Sequence, residues 1–257
     1  MNGTKVASEP QVVRLNWECE HFGFATGVLH ARGLDDRDLW SALESARDAH
    51  FAFVVVTMEP DRVIDAALTC EFCGTLTDRK ATFSQTLPLA QPANGRQGHP
   101  RSIAEYSAHA TSPELLKLAI ASGAHSRFNV DPRFPRERFL EMYRIWIERS
   151  VRREIADTVL VAHDPTIADG LNGMVTVAVA NDTGKIGLLA VAEQARGRGV
   201  GRRLLESAHE WMRSHGADEA RVITQMANSP ACGLYRTCGY TLSAVEDYYH
   251  FWPLVAG

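Results

Sequence analysis

The sequence has no long hydrophobic run and no excess of positive charge. Its densest apolar stretch, FAFVVV at residues 51–56, has the length of a strand and falls well short of the roughly 20 residues that a membrane-spanning helix needs. The first residues, MNGTKVASEPQ, lack the apolar core of a signal peptide. Lys and Arg number 27 against 31 Asp and Glu, which gives a net charge of −4. Because nucleic-acid binding needs a basic surface, we expect neither a membrane nor a nucleic acid as partner.

Cysteine is scarce, and the number of cysteines is odd. Five cysteines among 257 residues do not suggest a disulfide framework, so we expect a reducing compartment and a cytoplasmic protein. Cys70 and Cys73 have the spacing of half a zinc site, but no histidine or second Cys-x-x-Cys lies at ligand spacing nearby. We therefore predict a structural role for this pair and no bound metal.

One stretch separates the chain into two parts. Residues 89–102, LAQPANGRQGHPRS, are rich in proline, glycine and polar residues and follow no helix or strand period. We interpret them as a linker, which predicts an N-terminal domain at 1–92 and a C-terminal domain at 93–257. The N-terminal part is predicted to have an extended start, followed by a helix at 36–49, a strand at 51–56, a helix at 61–73 and a strand at 80–87.

Strand and helix patterns alternate after the linker, which predicts an α/β domain. The predicted helices are 112–122, 136–152, one that begins at Gly201, and 229–238. The predicted strands are 158–163, 173–180, 184–191, 220–226 and 240–251.

The two parts share a faint internal repeat. The stretches that begin FAFVVV and RVITQM each predict a strand, a loop, a helix ending in Cys-Gly, and another strand. Gly74 and Gly239 are predicted to end these helices in the left-handed conformation. A structural repeat would make the first domain a shortened copy of the second.

A glycine-rich, cationic loop precedes one of the helices. Arg196 to Gly201 read RGRGVG, and an amphipathic helix follows. A helix start has unpaired amides and partial positive charge, and glycines let the backbone close around an anion. A P-loop would end in Gly-Lys-Ser/Thr, and a dinucleotide fingerprint would read G-x-G-x-x-G, so neither fits. The residues alone leave two interpretations, a phosphate-binding loop and a turn with solvated arginines.

A second motif follows the loop, and the two motifs together resemble a known family. MANSPACGLYRTCGY has Asn228 at a strand end and Tyr235 two helical turns later. The two motifs resemble the fingerprint of the GCN5-related N-acetyltransferases, Arg/Gln-x-x-Gly-x-Gly/Ala followed by Asn-x-x-Ala-x-x-x-Tyr and Gly-Phe/Tyr. The matching residues are Arg196, Gly199, Gly201, Asn228, Ala231, Tyr235, Gly239 and Tyr240.

The resemblance implies a fold and a reaction. The family fold is a mixed central sheet flanked by helices, parted between its fourth and fifth strands where the pantetheine arm of acetyl-coenzyme A inserts. The small N-terminal domain resembles a truncated version of it. The stretches LNWECEHFGF and HSRFNVDPRF are similar to the branch that acetylates dTDP-4-amino-4,6-dideoxy-D-galactose (dTDP-fucosamine). The implied function is acetyl transfer to the amine of a nucleotide-linked amino sugar in polysaccharide biosynthesis, and a homodimer is an expectation from the family.

The resemblance also implies roles for residues. The backbone N–H of Leu189 would bond to the thioester oxygen, and Tyr235 would be the proton donor to the sulfur. Asn228 would bond to the pantetheine arm, cap the following helix, or do both. The residues implied to hold the pantetheine and diphosphate are Leu189, Val191, Arg196, Gly197, Arg198, Gly199, Val200 and Gly201.

The sequence gives weaker indications of the residues that bind the amine acceptor. Arg127 is predicted to contact a phosphate or carboxylate of the acceptor. Asp78 and Glu18 are candidates for the carboxylate that takes the amine proton, with a simply solvated role as the alternative for each. Residues 126–128 with Phe139, Tyr143 and Trp146 are candidates to line the acceptor. With Ile147, these three have a helical spacing that is more typical of a core face.

Two functions of different classes stay open. The first is an N-acetyltransferase for a nucleotide-linked amino sugar, with a peptide or small-molecule amine as the alternative acceptor. The second is a non-catalytic acyl-CoA sensor, which would keep the cleft and lose the chemistry. Retention of Tyr235 and Asn228 favours the enzyme.

Overall fold

The computed structural model describes residues 10–88, 103–163 and 170–255, so the predicted linker at 89–102 lies outside the described residues. The strands are β1 (Val13–Arg14), β2 (Thr26–His30), β3 (Phe53–Met58), β4 (Thr75–Thr86), β5 (Ile103–Glu105), β6 (Thr158–His163), β7 (Leu171–Ala180), β8 (Thr183–Val191), β9 (Glu219–Gln225) and β10 (Thr241–Phe251). The helices are α1 (Asn16–Phe22), α2 (Asp36–Asp48), α3 (Ala66–Glu71), α4 (Pro113–Ser122), α5 (Arg127–Val130), α6 (Arg136–Val151), α7 (Val200–Ser214) and α8 (Ser229–Thr237), with a 3-10 turn at Glu193–Ala195.

The N-terminal segment corrects one prediction. The predicted extended start contains α1, which has no side-chain cap at Leu15 and ends at Gly23 with φ 80°. Because Leu15 offers no capping oxygen, the sequence has no usual signal for a helix start here. Helix α3 is also shorter than predicted, since Asp65 caps it by accepting a hydrogen bond from the Ala67 amide.

The chain folds into two compact units. The first comprises residues up to Lys80, Val130–Arg133 and the residues from Val245 onwards, and the second comprises Ala81–Asn129 and Phe134–Ala244. Strands β4 and β10 are each divided between the two. The predicted domains, 1–92 and 93–257, stay a prediction because their boundary falls outside the described ranges.

In the first unit the strand order is β1-β2-β3-β10-β4. Strands β2 and β3 are parallel, and β10 runs antiparallel to β3. Helix α2 buries Leu39 and Leu43 completely in a core that also contains Val56 and Phe72. The apolar face of α2 therefore packs on the sheet, as its amphipathic sequence predicts.

In the second unit the strand order is β10-β4-β9-β8-β7-β6-β5. Strands β5 to β8 pair antiparallel with their neighbours in sequence, and β8 pairs with β9 in parallel. Apolar residues of α7 pack in a core cluster that contains Val175 and Val177 of β7. Those of α4 and α6 pack in a second cluster, which contains Val159 and Val161 of β6. The predicted α/β fold, a mixed sheet flanked by helices, is confirmed.

The element order of the predicted repeat is present in both stretches, as β3–α3–β4 and β9–α8–β10. Gly239 has φ 93° and ends α8 as predicted. The prediction for Gly74 was wrong, because Cys73 takes the left-handed conformation instead, with φ 48°. Gly74 is needed for space, since a Cβ there would lie 2.2 Å from the Phe251 ring.

Within the described ranges, no helix is both long and apolar enough to cross a membrane.

Candidate active site

Strands β8 and β9 separate beside the glycine loop. Their parallel pairing runs from Thr183 and Glu219 to Ile186 and Val222. Beyond these pairs β8 continues to Val191 and β9 to Gln225. One edge of β8 is therefore free of β9 over its last residues.

A bulge in β8 accompanies this separation. The register between β7 and β8 shifts between Val175 and Val177. Within the shift, Thr176 Oγ1 accepts a hydrogen bond of 2.8 Å from the Leu188 amide. A Cβ at Gly187 would lie 2.6 Å from this oxygen, so glycine is required there. The extra residue interrupts the ladder and bends the strand.

The bulge determines where the next amides point. The amides of Leu188 and Ala192 both bond to acceptors on β7, Thr176 Oγ1 and the Asn172 carbonyl. Successive residues of a strand turn their N–H groups to opposite edges. The amides of Leu189 and Val191 therefore face the free edge of β8.

The loop before α7 is held by two glycines. Gly197 and Gly199 both have φ 73°, a conformation that other residues adopt only at a cost. Gly199 is the N-cap of α7 and offers no side-chain cap, and the first turn of α7 has no acidic residue. The amides of this turn are thus available to a ligand, and the helix dipole favours an anion.

The arginines of the loop add positive charge and hold its shape. Arg196 and Arg198 are exposed. The Arg196 Nε donates to the Val191 carbonyl at 3.3 Å, and the Arg203 Nη1 donates to the Arg198 carbonyl at 3.0 Å. The buried Nε of Arg203 has no hydrogen-bond partner among the described residues. Backbone amides and guanidinium groups around an open left-handed turn are a donor set that fits a diphosphate.

Asn228 lies three residues after the end of β9 and is the N-cap of α8. Its Oδ1 accepts a hydrogen bond of 3.2 Å from the Ala231 amide, which is the capping role that the sequence left open. Its role toward a pantetheine arm stays a prediction.

Tyr235 is buried on α8, with 4% of its surface exposed. Its ring lies 5.8 Å from the Phe83 ring and 5.7 Å from the Tyr240 ring, measured between centroids. Burial raises the pKa of Tyr235 well above its usual range, with smaller contributions from Cys232 and Cys238. The phenol therefore keeps its proton at neutral pH.

The predicted acceptor residues are divided between the units. Arg127 begins α5 in the second unit, half-buried, with its guanidinium 4.3 Å from the centre of the Phe128 ring. Asp78 is buried on β4 and Glu18 is half-buried on α1, and both belong to the first unit. On α6, Phe139, Tyr143 and Ile147 are buried, as their spacing predicted, whereas Trp146 is half-buried.

The structure adds residues that sequence reasoning missed. Thr176 had no signal, because a threonine in a strand usually only packs. Gly187 had one, since a glycine inside a strand pattern suggests a bulge. His209, buried on α7 and hydrogen-bonded to Tyr240, was not singled out from the sequence. Among the described residues no group of His, Cys, Asp and Glu is arranged to hold a metal.

One family model matches the part of the chain that contains the candidate site. Residues 124–240 match the model of the acetyltransferase (GNAT) family. The match spans a little under half of the chain, and over these residues the chain is similar to that family. The match contains Leu189, the Arg196–Gly201 loop, Asn228 and Tyr235, so the predicted resemblance is confirmed.

Two curated relatives match about half of the chain. Over 128 residues the chain is 34% identical to dTDP-fucosamine acetyltransferase of Escherichia coli O6:H1, which covers 49% of this chain and 53% of that protein. Over 139 residues it is 25% identical to the spore coat polysaccharide biosynthesis protein SpsD of Bacillus subtilis, covering 54% and 47%. The chain thus spans about half the length of these curated relatives.

A solved structure extends the likeness of the fold. A GCN5-related N-acetyltransferase from Sphaerobacter thermophilus has a TM-score of 0.56 and 18% identity, covering 93% of this chain and 75% of that one. At this identity the likeness concerns the fold, and it confirms the predicted GNAT fold.

Proposed function

We propose that this chain is an N-acetyltransferase that moves the acetyl group of acetyl-CoA to the amine of a nucleotide-linked amino sugar, of the dTDP-4-amino-4,6-dideoxyhexose type. The main support is the free edge of β8 beyond Ile186, which lies next to the Arg196–Gly201 loop in sequence. Likeness to dTDP-fucosamine acetyltransferase and to a polysaccharide biosynthesis protein supports the choice of acceptor.

The loop and the free edge bind the co-substrate. The amides at the start of α7, together with Arg196 and Arg198, hold the diphosphate, because charge-assisted bonds to phosphate are strong. Val191 and Asn228 hold the pantetheine arm by backbone and side-chain hydrogen bonds. When bound, acetyl-CoA supplies the acetyl group as a thioester.

The Leu189 amide polarises the carbonyl of that thioester. Negative charge grows on the carbonyl oxygen as the amine attacks, and a fixed N–H aimed at it stabilises the transition state by about 3 kcal/mol. The amide needs no reorganisation, because the bulge at Thr176 and Leu188 already turns it to the free edge.

Tyr235 assists the departing sulfur. An unperturbed phenol titrates near 10 and a thiol near 8.5, so full proton transfer would be uphill by roughly 2 kcal/mol. Burial raises the pKa of Tyr235 and makes the transfer still more unfavourable. Tyr235 therefore donates a hydrogen bond to the sulfur and shares its proton without losing it early.

The acceptor amine needs little help to become neutral. An amine on a sugar carbon is flanked by electron-withdrawing oxygens, so its pKa lies nearer the roughly 8 of an α-amino group than the 10.4 of lysine. Arg127 contacts the acceptor's phosphate, and Asp78 or Glu18 receives the amine proton through water. Substitution of each residue in turn by alanine tests these roles through KM for the acceptor and the pH profile of kcat.

The function is tested by following thiol release from acetyl-CoA. Purified protein is assayed with dTDP-4-amino-4,6-dideoxyhexoses, with simple amino sugars and with a panel of peptide and small-molecule amines, and mass spectrometry identifies the acetylated product. We expect turnover with the nucleotide sugar at a kcat/KM at least about 100-fold above that of simple amines.

Other outcomes contradict the proposal at different points. Faster turnover with a peptide or small-molecule amine would keep the acetyltransferase and replace the acceptor. Tight binding of acetyl-CoA with no turnover in any mixture would identify an acyl-CoA sensor. A homodimer, expected from the family, is tested separately by light scattering.

A further inference from the structure

A buried pair of polar side chains lies next to Tyr235 and has no part in the proposed chemistry. The hydroxyl of Tyr240 and the Nε2 of His209 share a hydrogen bond of 2.7 Å, and 3% of Tyr240 and 7% of His209 are exposed. Both residues belong to the second unit, as Tyr235 does.

The end of α8 couples Tyr240 to Tyr235 through the backbone. The Tyr240 amide donates to the Tyr235 carbonyl at 3.0 Å, and the Gly239 amide donates to the Arg236 carbonyl at 3.1 Å. With Gly239 left-handed at φ 93°, these two bonds form a Schellman motif, in which the residue after the glycine packs on the third residue from the helix end. The packing residues here are Tyr240 and Tyr235, whose rings meet edge to face with centroids 5.7 Å apart.

The hydrogen bond to His209 fixes the other end of the Tyr240 ring. His209 lies on α7, whose first turn follows the anion loop. Without this bond the Tyr240 ring would be held by packing alone, and a buried hydroxyl without a partner is costly. Tyr235 is thus linked through Tyr240 and His209 to the helix that begins at the loop.

We infer that Tyr240 and His209 are positioning residues that set the ring of Tyr235 relative to α7, an inference that rests on the proposed function of Tyr235. The ring of Tyr240, held by Tyr235 at one end and by His209 at the other, gives Tyr235 a fixed direction for its hydrogen bond to the sulfur.

Kinetics in two backgrounds test this role. Tyr240→Phe removes the hydroxyl and keeps the ring, and we expect kcat to fall by about 5- to 10-fold with KM for acetyl-CoA changed by less than about twofold. In a Tyr235→Phe background the same substitution should leave kcat unchanged, because the effect acts through the Tyr235 hydroxyl. An equal loss of kcat in both backgrounds would overturn the inference and indicate a general structural role.

Variants of His209 and a control variant of Tyr106 test the same role further. His209→Leu should lower kcat as Tyr240→Phe does, the double variant should be no worse than either, and His209→Gln should recover part of the loss. Tyr106→Phe is the control, since the Tyr106 hydroxyl donates a 2.8 Å hydrogen bond to the Ala110 carbonyl in the same unit. We expect no change of kcat in Tyr106→Phe, and additive losses for Tyr240 and His209 would contradict the pairing.

A second measurement does not depend on turnover. In protein labelled at the ring Cζ carbon of tyrosine, the NMR signal of Tyr235 is assigned by its loss in Tyr235→Phe. We expect this signal to shift or broaden in Tyr240→Phe and in His209→Leu but not in Tyr106→Phe. An unmoved signal would overturn the inference even in an active enzyme, whereas a moved signal in a protein without turnover would uphold the positioning and reject the proposed function.

Discussion

Burial determines what the hydroxyl of Tyr235 can do. The motif locates this tyrosine in the sequence, but its neighbours Phe83 and Tyr240 come from other parts of the chain. Burial raises the pKa of Tyr235, which favours a shared proton over a transferred one. The sequence thus predicts the residue, while the strength with which it holds its proton follows from the tertiary structure.

Tyr235→Phe should lower kcat by about 100-fold or more and leave the affinity for acetyl-CoA nearly intact. The reason is that the hydroxyl acts on the sulfur in the transition state, whereas the ring packing is unchanged. Steady-state kinetics and calorimetry check the two parts. A kcat equal to that of the wild type would remove Tyr235 from the mechanism.

His209 should make stability depend on pH. Burial, with a smaller effect from Arg213, lowers its pKa from 6.5 to about 4 in the folded state. Between these values the unfolded chain binds a proton that the folded chain does not, so the free energy of unfolding falls as pH falls, by up to about 3 kcal/mol. Above pH 6.5 this contribution is constant.

Urea unfolding from pH 7 to pH 4.5 measures this effect. Wild-type protein should lose more stability on acidification than His209→Gln, and the exposed-residue control His109→Gln should follow the wild type. Arg202, Glu206 and Cys238 line the same pocket as His209, and they are present in all three proteins. If the free energy of unfolding changes equally with pH in wild type and His209→Gln, the lowered pKa of His209 is contradicted.

At the scale of elements, the loop before α7 depends on its glycines. Gly197→Ala should weaken acetyl-CoA binding by at least about fivefold, because a left-handed alanine costs roughly 1 kcal/mol and the turn can relax away from the bound shape. Calorimetry gives the affinity.

Gly216 provides the matched control. It has φ 86° after α7, and a Cβ there, as at Gly197, would meet nothing within 4 Å. Gly216→Ala should lose similar stability and bind acetyl-CoA as the wild type does. If both variants bind equally well, the loop conformation is not what binding requires.

The bulge in β8 gives a second prediction at this scale. Thr176→Val keeps the shape of the side chain and removes the acceptor of the Leu188 amide. The unpaired amide should cost about 1–3 kcal/mol, and kcat should fall because the neighbouring Leu189 amide loses its direction. Thr176→Ser keeps the hydroxyl and should stay active. Equal activity of the valine and serine variants would show that the bulge is held without this bond.

Elements with strong periodicity were predictable, and those with local irregularity were not. Strand β6 has the predicted bounds of 158–163, because its apolar run is bounded by polar residues. Helix α1 was missed, since Leu15 offers no cap and the helix is too short to show a period. The bulge was missed although Gly187 lies inside a strand pattern, because the acceptor that holds it, Thr176, belongs to the neighbouring strand.

At the scale of the whole molecule, composition predicts a linker between two domains, and this division stays a prediction. The compact units include residues from distant stretches, since the first unit contains the end of β10 as well as the N-terminal elements. The sequence of a single strand does not indicate its distant pairing partner, because the pairing depends on the tertiary structure. The family match at 124–240 lies mostly in the second unit, where the loop, the free edge of β8 and Tyr235 all lie.

The central claim is that the start of α7 binds the diphosphate of coenzyme A, and one calorimetric comparison tests it directly. Acetyl-CoA and acetyl-pantetheine, which lacks the nucleotide and its diphosphate, are each titrated into the wild-type chain. Because each charge-assisted hydrogen bond to phosphate contributes about 1.5–3 kcal/mol, we predict that acetyl-CoA binds at least about 100-fold more tightly. Equal affinities, or no heat from acetyl-CoA at all, would contradict the account.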